Sequence, residues 1–252
     1  MAVYKKKKGR IQFDNSAAQK TLHKNLEFTA TEQYKLLRAN LKFTIPQGIK
    51  CPVIGVTSSM RGEGKSTTSI NLSYVLSENG NRVLLIDGDL RIPSLAKKLD
   101  LTNSKGLSDF LMDKTLDIEK FKSNELDSWY ILPSGHIPPN PSELLGSKRM
   151  ADLLDDLKEK FDYIVIDLPP VNLVSDALSI SNLITGLILV VREEYAQKKE
   201  VEECFRQLKL SNINLLGCVL NGAKTGGGAY GKYGKYRKYG YYKHSEKSTA
   251  ND

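Results

Sequence analysis

Short apolar runs alternate with amphipathic stretches along most of the chain, and the two patterns predict strands and helices respectively. The predicted strands are Val53–Thr57, Arg82–Ile86, Trp129–Leu132, Tyr163–Asp167, Gly186–Val191 and Leu215–Leu220. The predicted helices are Thr31–Phe43, Thr67–Leu76, Leu107–Met112, Lys148–Lys160, Ala177–Ser181 and Val201–Leu210. We expect Thr29 or Thr31 to be the N-cap of the first helix.

This order of elements predicts an α/β fold, in which parallel strands are joined by right-handed helical crossovers. Because the strands are apolar almost throughout, we expect helices on both faces of the sheet. The prediction is a doubly wound, mostly parallel sheet of the P-loop NTPase type. Residues 1–27 are polar and aperiodic, and Gly, Tyr and Lys replace the apolar pattern beyond Asn221. We therefore expect a flexible arm at 1–27, a folded domain at 28–222 and a disordered tail at 223–252.

A glycine-rich segment between the first strand and the second helix has the sequence of a phosphate-binding loop. Its candidate nucleotide-binding residues are Ser59, Met60, Arg61, Gly62, Glu63, Gly64, Lys65, Ser66 and Thr67. Gly62 and Gly64 allow successive backbone N–H groups to face the phosphates, and Lys65 is placed to reach the β and γ phosphates. The hydroxyl of Ser66 is a candidate Mg²⁺ ligand. Ser59 stands where the motif commonly has its first glycine, which is compatible if that position avoids positive φ.

Acidic residues end two further strands. Asp87 and Asp89 follow the second strand and Asp167 ends the fourth, so all three lie at the sheet edge where ligands bind in such folds. We expect Asp87 and Asp89 to point toward the cleft, where one acid holds a metal and the other accepts a proton from an incoming hydroxyl. Arg91 is expected to pair with either of these acids or with a phosphate. The alternative is that Asp89 and Arg91 cap a loop and pair structurally.

The net charge of +8 belongs to the two ends of the chain. Residues 1–10 and 223–252 each carry +5, which leaves about −2 for the part between them. Basic arms are usually solvated, but they also bind anionic membranes or nucleic acid. No apolar run approaches the ~20 residues of a membrane span and the N-terminus lacks a secretory signal, so we expect a cytoplasmic protein. The cysteines, expected to be buried thiols without metal-binding spacing, are Cys51, Cys204 and Cys218.

Six tyrosines separated by Gly, Lys and Arg dominate the tail. They are Tyr230, Tyr233, Tyr236, Tyr239, Tyr241 and Tyr242. Aromatic side chains interleaved with basic ones can stack on single-stranded nucleic acid. Tyrosine hydroxyls can also accept a phosphoryl group.

Taken together, these segments resemble one enzyme family. The P-loop, the strand ending Asp87-Gly88-Asp89-Leu90-Arg91, the strand ending Asp167-Leu168-Pro169-Pro170 and the tyrosine cluster resemble the bacterial tyrosine kinases of capsule and exopolysaccharide synthesis. The resemblance runs from about residue 28 to residue 242. It implies an ATP- and Mg²⁺-dependent protein-tyrosine kinase that phosphorylates its own tail and regulates polysaccharide synthesis.

The resemblance also implies roles for particular residues. The implied catalytic residues are Asp87 as base, Lys65 and Arg91. The implied magnesium ligands are Ser66, Asp89 and Asp167. Asn221, at the end of the last strand, resembles the residue that reads adenine in this superfamily, and the alternative is an ordinary turn residue before Gly222.

The first predicted helix carries a candidate assembly motif. Glu32, Lys35 and Arg38 resemble the family's Glu-x-x-Arg-x-x-Arg motif, with lysine in place of the middle arginine. This implies a ring-shaped homo-oligomer, such as an octamer, in which each subunit phosphorylates its neighbour's tail. The alternative is a solvated, charged helix face. Lysine lacks the planar fork of arginine, so the contact is expected to be weaker or rearranged.

The family resemblance further implies partners. They are a transmembrane activator of the polysaccharide co-polymerase type, a cognate tyrosine phosphatase and further protein substrates, with recruitment to the inner face of the cell membrane and no nucleic-acid partner. The rival interpretation is a partitioning-type ATPase switch that binds membrane or DNA. Such ATPases usually carry a second lysine early in the P-loop, where this chain has Met60. A second rival is a binding module whose basic arms hold nucleic acid.

Overall fold

A computed structural model describes residues 25–101, 105–112 and 117–223 of the chain. The predictions for residues 1–24 and for the tail, with its six tyrosines, lie outside the described residues. By its internal contacts the chain divides into a compact unit that ends at Asn221 and a second unit, Gly222–Asp252. The boundaries placed at residues 27 and 222 stay predictions.

The described residues form six strands and eight α-helices. The strands are β1 (Val53–Ser58), β2 (Val83–Asp87), β3 (Trp129–Leu132), β4 (Tyr163–Asp167), β5 (Gly186–Arg192) and β6 (Leu215–Asn221). The helices are α1 (Phe28–Thr44), α2 (Lys65–Ser77), α3 (Leu95–Lys98), α4 (Leu107–Met112), α5 (Pro141–Leu145), α6 (Lys148–Lys158), α7 (Asp176–Ser179) and α8 (Lys198–Leu210). Two 3₁₀ turns, Ile118–Phe121 and Ser181–Leu183, complete the described structure.

The six strands form one sheet in the order β3-β2-β4-β1-β5-β6. Every neighbouring pair in this sheet is parallel. The predicted doubly wound α/β fold is therefore confirmed. The chain leaves β1 toward one edge of the sheet and leaves β4 toward the other, so a crevice opens at the carboxyl ends of these two central strands. The P-loop and the three predicted acids lie at this edge.

The apolar residues of the strands divide into two clusters, one on each face of the sheet. Helices α1 and α2 pack on one face, and α4, α6 and α8 pack on the other. In α6 the buried residues Met150, Leu154 and Leu157 recur at helical spacing, and the Ser147 side chain caps the helix by accepting a hydrogen bond from the Met150 N–H. Because Leu154 is 1 % exposed, its replacement by alanine is expected to cost roughly 2–5 kcal/mol.

Several local expectations from the sequence need correction. Helix α1 begins at Phe28 and its N-cap is Glu27, which makes no side-chain cap hydrogen bond, so neither Thr29 nor Thr31 caps this helix. Helices α3 and α5 were not predicted. Cys51 and Cys204 are buried as expected, whereas Cys218 is exposed on the edge strand β6.

Among the described residues, no helix combines the length and the apolar character that a membrane crossing needs.

Candidate nucleotide site

The P-loop joins β1 to α2, and the buried carboxylate of Glu63 accepts hydrogen bonds from Ser59 at the start of the loop. Gly62 and Gly64 have positive φ, +84° and +99°, whereas Ser59 does not, which confirms the condition under which serine is tolerated in place of the first glycine. The Ser59 N–H donates to Glu63 Oε2 at 2.9 Å and the Ser59 hydroxyl donates to Glu63 Oε1 at 2.7 Å. Both side chains are completely buried. Serine at this position therefore anchors the loop internally.

Lys65 lies between two of the predicted acids. Its Nζ is 3.0 Å from Asp89 Oδ2 and 3.6 Å from Asp167 Oδ2, and its side chain is 12 % exposed. Burial opposes the charged form of the ammonium group, but the carboxylates of Asp167 and Asp89 outweigh burial and raise the pKa of Lys65. The lysine is therefore held charged inside the cleft. A charged amine in this place is what binding of phosphate oxygens requires.

Asp87 is enclosed by the protein, whereas the sequence predicted that it would point into the open cleft. Its Oδ2 accepts hydrogen bonds from the N–H groups of Ser94 at 3.2 Å and Leu95 at 3.0 Å, at the start of α3, and the side chain has no exposed surface. Burial, followed by the nearby charge of Asp167, raises the pKa of Asp87 to about 7. A carboxylate with this pKa can accept and release a proton near neutral pH.

The surroundings of Asp167 fit a hydrated cation. Asp167 Oδ1 accepts a hydrogen bond from Ser69 Oγ at 3.1 Å, but its Oδ2, although buried, has no hydrogen-bond partner among the described residues. The Ser66 hydroxyl lies beside it and accepts from Ser94 Oγ at 2.9 Å. Among the described residues no group of three or more His, Cys, Asp and Glu side chains is arranged to chelate a metal. Mg²⁺ does not need such a group, because one or two carboxylates usually hold it and phosphate oxygens and water complete its shell.

Arg91 is paired, but not with the residues expected from the sequence. Its guanidinium makes a two-pronged contact with Asp176, with Nε at 3.0 Å and Nη2 at 2.9 Å from the carboxylate oxygens, and Nη2 also donates to Ser142 Oγ at 3.2 Å. Asp176 is completely buried. Asp89 Oδ1 meanwhile accepts from the Ile92 N–H at 3.0 Å and so caps the loop that carries Arg91. The arginine thus ties this loop to α7 and α5.

Asn221 lies against the P-loop. Its Nδ2 donates to the Glu63 carbonyl at 2.8 Å, and a Cβ added to Gly64 would collide with the same amide. The sequence predicts that this residue lies near the nucleotide, but it does not indicate the contact with the P-loop. Its contact with adenine stays a prediction.

Two residues of this site were missed in the sequence altogether, because no motif marks them. Arg192 Nη1 donates to the Gly62 carbonyl at 3.1 Å, and the Tyr195 hydroxyl donates to the Arg61 carbonyl at 3.1 Å. Both follow the apolar run of β5, where the sequence pattern indicates only a polar loop.

The candidate assembly residues lie on α1, away from the P-loop in the sequence. Lys35 Nζ is 2.8 Å from Glu32 Oε1, and both side chains are partly exposed. Arg38 donates from Nη1 to the carbonyl of Val75 in α2. Arg38 therefore has a role inside its own chain whatever it contacts in an assembly.

The chain is similar in sequence and in structure to proteins that are already known. A family model described as an AAA domain matches residues 51–217. The tyrosine-protein kinase YwqD of Bacillus subtilis is 35% identical over 195 residues, which cover 77% of this chain and 81% of YwqD. The tyrosine-protein kinase CpsD of Streptococcus pneumoniae is 38% identical over 203 residues, covering 79% of this chain and 87% of CpsD. The crystal structure of the chimerical protein CapA2B2 aligns with a TM-score of 0.74 at 32% identity, covering 84% of this chain and 92% of that chain.

Proposed function

Because this chain belongs to the bacterial tyrosine kinases of capsule and exopolysaccharide synthesis, we propose that it transfers the γ-phosphoryl group of ATP to tyrosine hydroxyls. One observation carries the proposal. Lys65 lies between Asp89 and Asp167 at the carboxyl edge of the sheet, beside a fourth charged group, Asp87, whose pKa is near neutral. Such a cluster combines a phosphate-binding cation, metal-binding oxygens and a proton acceptor.

The nucleotide is bound by the P-loop. The N–H groups of residues 60–66 and the amino end of α2 hold the phosphates, and Lys65 exchanges its contact with Asp89 for the β and γ phosphate oxygens. Ser66, Asp89 and Asp167 would hold Mg²⁺, which, when bound, neutralises charge on the phosphates.

The acceptor hydroxyl is activated by Asp87. The phenolic oxygen forms the new bond to the γ phosphorus, the bond from that phosphorus to the oxygen of ADP breaks, and the phenolic proton passes to an oxygen of Asp87. Its raised pKa makes Asp87 a competent proton acceptor at neutral pH. Because Asp87 is enclosed and held by Ser94 and Leu95, the start of α3 must move for the acceptor to reach it.

The acceptors are the tyrosines of the tail, Tyr230 to Tyr242, offered to the site of a neighbouring subunit. A ring-shaped assembly through Glu32, Lys35 and Arg38 places neighbours for this exchange. A transmembrane activator brings the kinase to the cytoplasmic face of the membrane, and a tyrosine phosphatase reverses the modification. The similarity to CapA2B2, a chimerical protein whose name joins two components, supports the expectation of an activator segment.

Phosphorylation of the crowded tails would add negative charge and loosen the assembly. Light scattering before and after complete phosphorylation measures this effect. An unchanged oligomer would contradict this part of the proposal while leaving the kinase activity standing.

The decisive experiment is mass spectrometry of the full chain after incubation with ATP and Mg²⁺, with and without a cytoplasmic activator segment. We expect phosphate on Tyr230 to Tyr242 in the wild type and none in Lys65→Met or Asp87→Asn. Lys158→Met is the matched control, because Lys158 is a partly exposed lysine that pairs with Asp155 on α6, outside the site. Hydrolysis of ATP without phosphotyrosine, with the activator present, would replace the kinase with the partitioning-type ATPase switch.

A further inference from the structure

Side chains from outside the P-loop hold its carbonyl groups. The Tyr195 hydroxyl donates to the carbonyl of Arg61, and Arg192 Nη1 donates to the carbonyl of Gly62, each at 3.1 Å. These two donors come from the end of β5 and the turn that follows it. Neither of them belongs to the P-loop motif.

The carbonyls on either side are held in the same way. The Ser58 hydroxyl donates to the carbonyl of Met60 at 2.7 Å, and Asn221 Nδ2 donates to the carbonyl of Glu63 at 2.8 Å. Four consecutive carbonyl groups of the loop, from residue 60 to residue 63, therefore each accept a hydrogen bond from a side chain. A backbone held by its carbonyls on one side presents its N–H groups to the other side, where phosphate oxygens bind.

Two of these donors lie so close to the loop glycines that a side chain at either glycine would collide with them. A Cβ on Gly62 would lie 2.7 Å from the Tyr195 hydroxyl oxygen, and a Cβ on Gly64 would collide with the Asn221 amide. Both glycines also have positive φ, which already disfavours any other residue. The close approach of Tyr195 and Asn221 adds a second, independent reason for glycine at these positions.

Arg192 and Tyr195 form one unit. The Arg192 guanidinium carbon lies 5.2 Å from the centre of the Tyr195 ring, a cation–π contact, and the N–H groups of Tyr195 and Ala196 donate to the Arg192 carbonyl. Arg192 is also paired in register with Asn221 at the ends of β5 and β6. Three of the four donors are thus fixed to adjacent strand ends.

We propose that Arg192 and Tyr195 are positioning residues for the nucleotide, which fix the P-loop so that its N–H groups meet the β phosphate. This inference rests on the proposed function, because it requires that the loop binds a nucleoside di- or triphosphate. The two residues act through the loop backbone and touch no phosphate themselves. Loss of either contact leaves the loop able to bind, but with a less ordered set of N–H donors.

The test uses the full chain and measures the dissociation constants of ADP and AMP by competition with a fluorescent ADP analogue. Tyr195→Phe removes one hydroxyl and keeps the ring under Arg192, and Arg192→Met removes the other donor, because methionine has no N–H group. We expect the Kd of ADP to rise about 3- to 10-fold in each variant, the effect of one hydrogen bond. The Kd of AMP, which has no β phosphate, should stay unchanged.

Matched controls are Tyr163→Phe, at the start of β4, and Arg206→Met, on the exposed face of α8. Both should bind ADP as the wild type does. Unchanged ADP binding in Tyr195→Phe and Arg192→Met would overturn the positioning role alone. Equal weakening of ADP and AMP would also overturn it, since this would indicate general loosening. A wild type that binds neither nucleotide would overturn the proposed function as well.

Discussion

Asp87 and Asp167 lie opposite each other in the parallel register of β2 and β4, and neither has any exposed surface. Two buried carboxylates in adjacent positions cannot both be ionised without a large electrostatic cost. Burial and the Asp167 charge raise the pKa of Asp87 to about 7, and burial likewise raises the pKa of Asp167. Lys65 offsets part of this repulsion. A bound cation would therefore reduce the remaining repulsion between the two carboxylates.

The first prediction concerns stability against pH without nucleotide or metal. An unfolded aspartate has a pKa of about 3.9, whereas folded Asp87 has a pKa of about 7. The folded state therefore binds more protons over this range, and stability is fully present below about pH 4 and lost as the pH rises through about 7. Asp87→Asn removes this titration. At pH 8 it should be more stable than the wild type by about 4 kcal/mol, the free energy that corresponds to a difference of about three between the folded and unfolded pKa values.

Urea denaturation at pH 5 and pH 8 measures this difference. The advantage of Asp87→Asn should shrink toward pH 5, where the wild-type carboxyl is largely protonated. Asp155→Asn, at an exposed partner of Lys158, is the control and should follow the wild type at both values. A variant that is less stable than the wild type at pH 8 would show that the contacts of Asp87 with Ser94 and Leu95 outweigh its repulsion from Asp167.

The second prediction concerns Lys65 as the cation of the cluster. Lys65→Met leaves the carboxylates of Asp89 and Asp167 without their ammonium partner, and breaking a buried pair in this way costs roughly 3 kcal/mol. Millimolar Mg²⁺ should then raise the melting temperature of the variant more than that of the wild type, because the acids lack another cation. Differential scanning fluorimetry with Mg²⁺ and with EDTA measures the effect, and Lys97→Met is the exposed control. Equal responses to Mg²⁺ would count against these acids as the metal site.

The sequence predicted those parts of the site that local patterns determine. Asp87 and Asp167 end buried strands, and Lys65 begins the helix that follows β1 through the P-loop. Because parallel strands bring their carboxyl ends to one edge of the sheet, the proximity of these residues follows from the fold class. The bounds of β3 and β4 were predicted correctly for the same reason. Burial of Asp87 under α3 could not be predicted, because it depends on the contacts of the Ser94 and Leu95 N–H groups with the carboxylate.

Contacts between segments that are distant in the chain could not be predicted from the sequence either. Arg91 and Asp176 are 85 residues apart, and Tyr195 and Arg61 are 134 residues apart. No spacing rule links such positions. Arg91 was recognised as important, but its partner was wrong, because the choice among several nearby carboxylates depends on how α5 and α7 pack.

The third prediction tests how Arg91 acts. If it orders the loop through Asp176, then Arg91→Lys and Asp176→Asn should each slow phosphoryl transfer about 10-fold, and the double variant should be no slower than either one. The expected coupling in this cycle lies within the roughly 0.5–3 kcal/mol seen for contacting residues. Lysine cannot reproduce the two-pronged contact with Asp176, so Arg91→Lys should not retain the wild-type rate of phosphoryl transfer. Arg206→Lys, at an exposed two-pronged pair with Glu203, is the matched control. A normal rate in Asp176→Asn would indicate instead that Arg91 works on the phosphate.

The last prediction separates assembly from internal stability on α1. Lys35 contacts Glu32 at the surface, so Lys35→Ala should change the free energy of unfolding by less than about 0.5 kcal/mol while weakening the proposed oligomer. Arg38 also donates to the Val75 carbonyl in α2, so Arg38→Ala should weaken the oligomer and in addition lower the free energy of unfolding by about 1–2 kcal/mol. Sedimentation velocity and urea denaturation measure the two effects separately, with Lys42→Ala as the control on the same helix.

Arg38 is informative because one guanidinium would serve both the contact with Val75 and the proposed contact with a neighbouring subunit. Its Nη1 is engaged within the chain, which leaves Nε and Nη2 for a neighbouring subunit, whereas Lys35 would have to release Glu32 to reach one. We therefore expect Arg38→Ala to reduce the oligomer more than Lys35→Ala does, and Lys35→Arg, which restores a planar fork, to strengthen it. If all three variants sediment as the wild type does, this helix face is a solvated charged surface and the assembly uses another part of the chain.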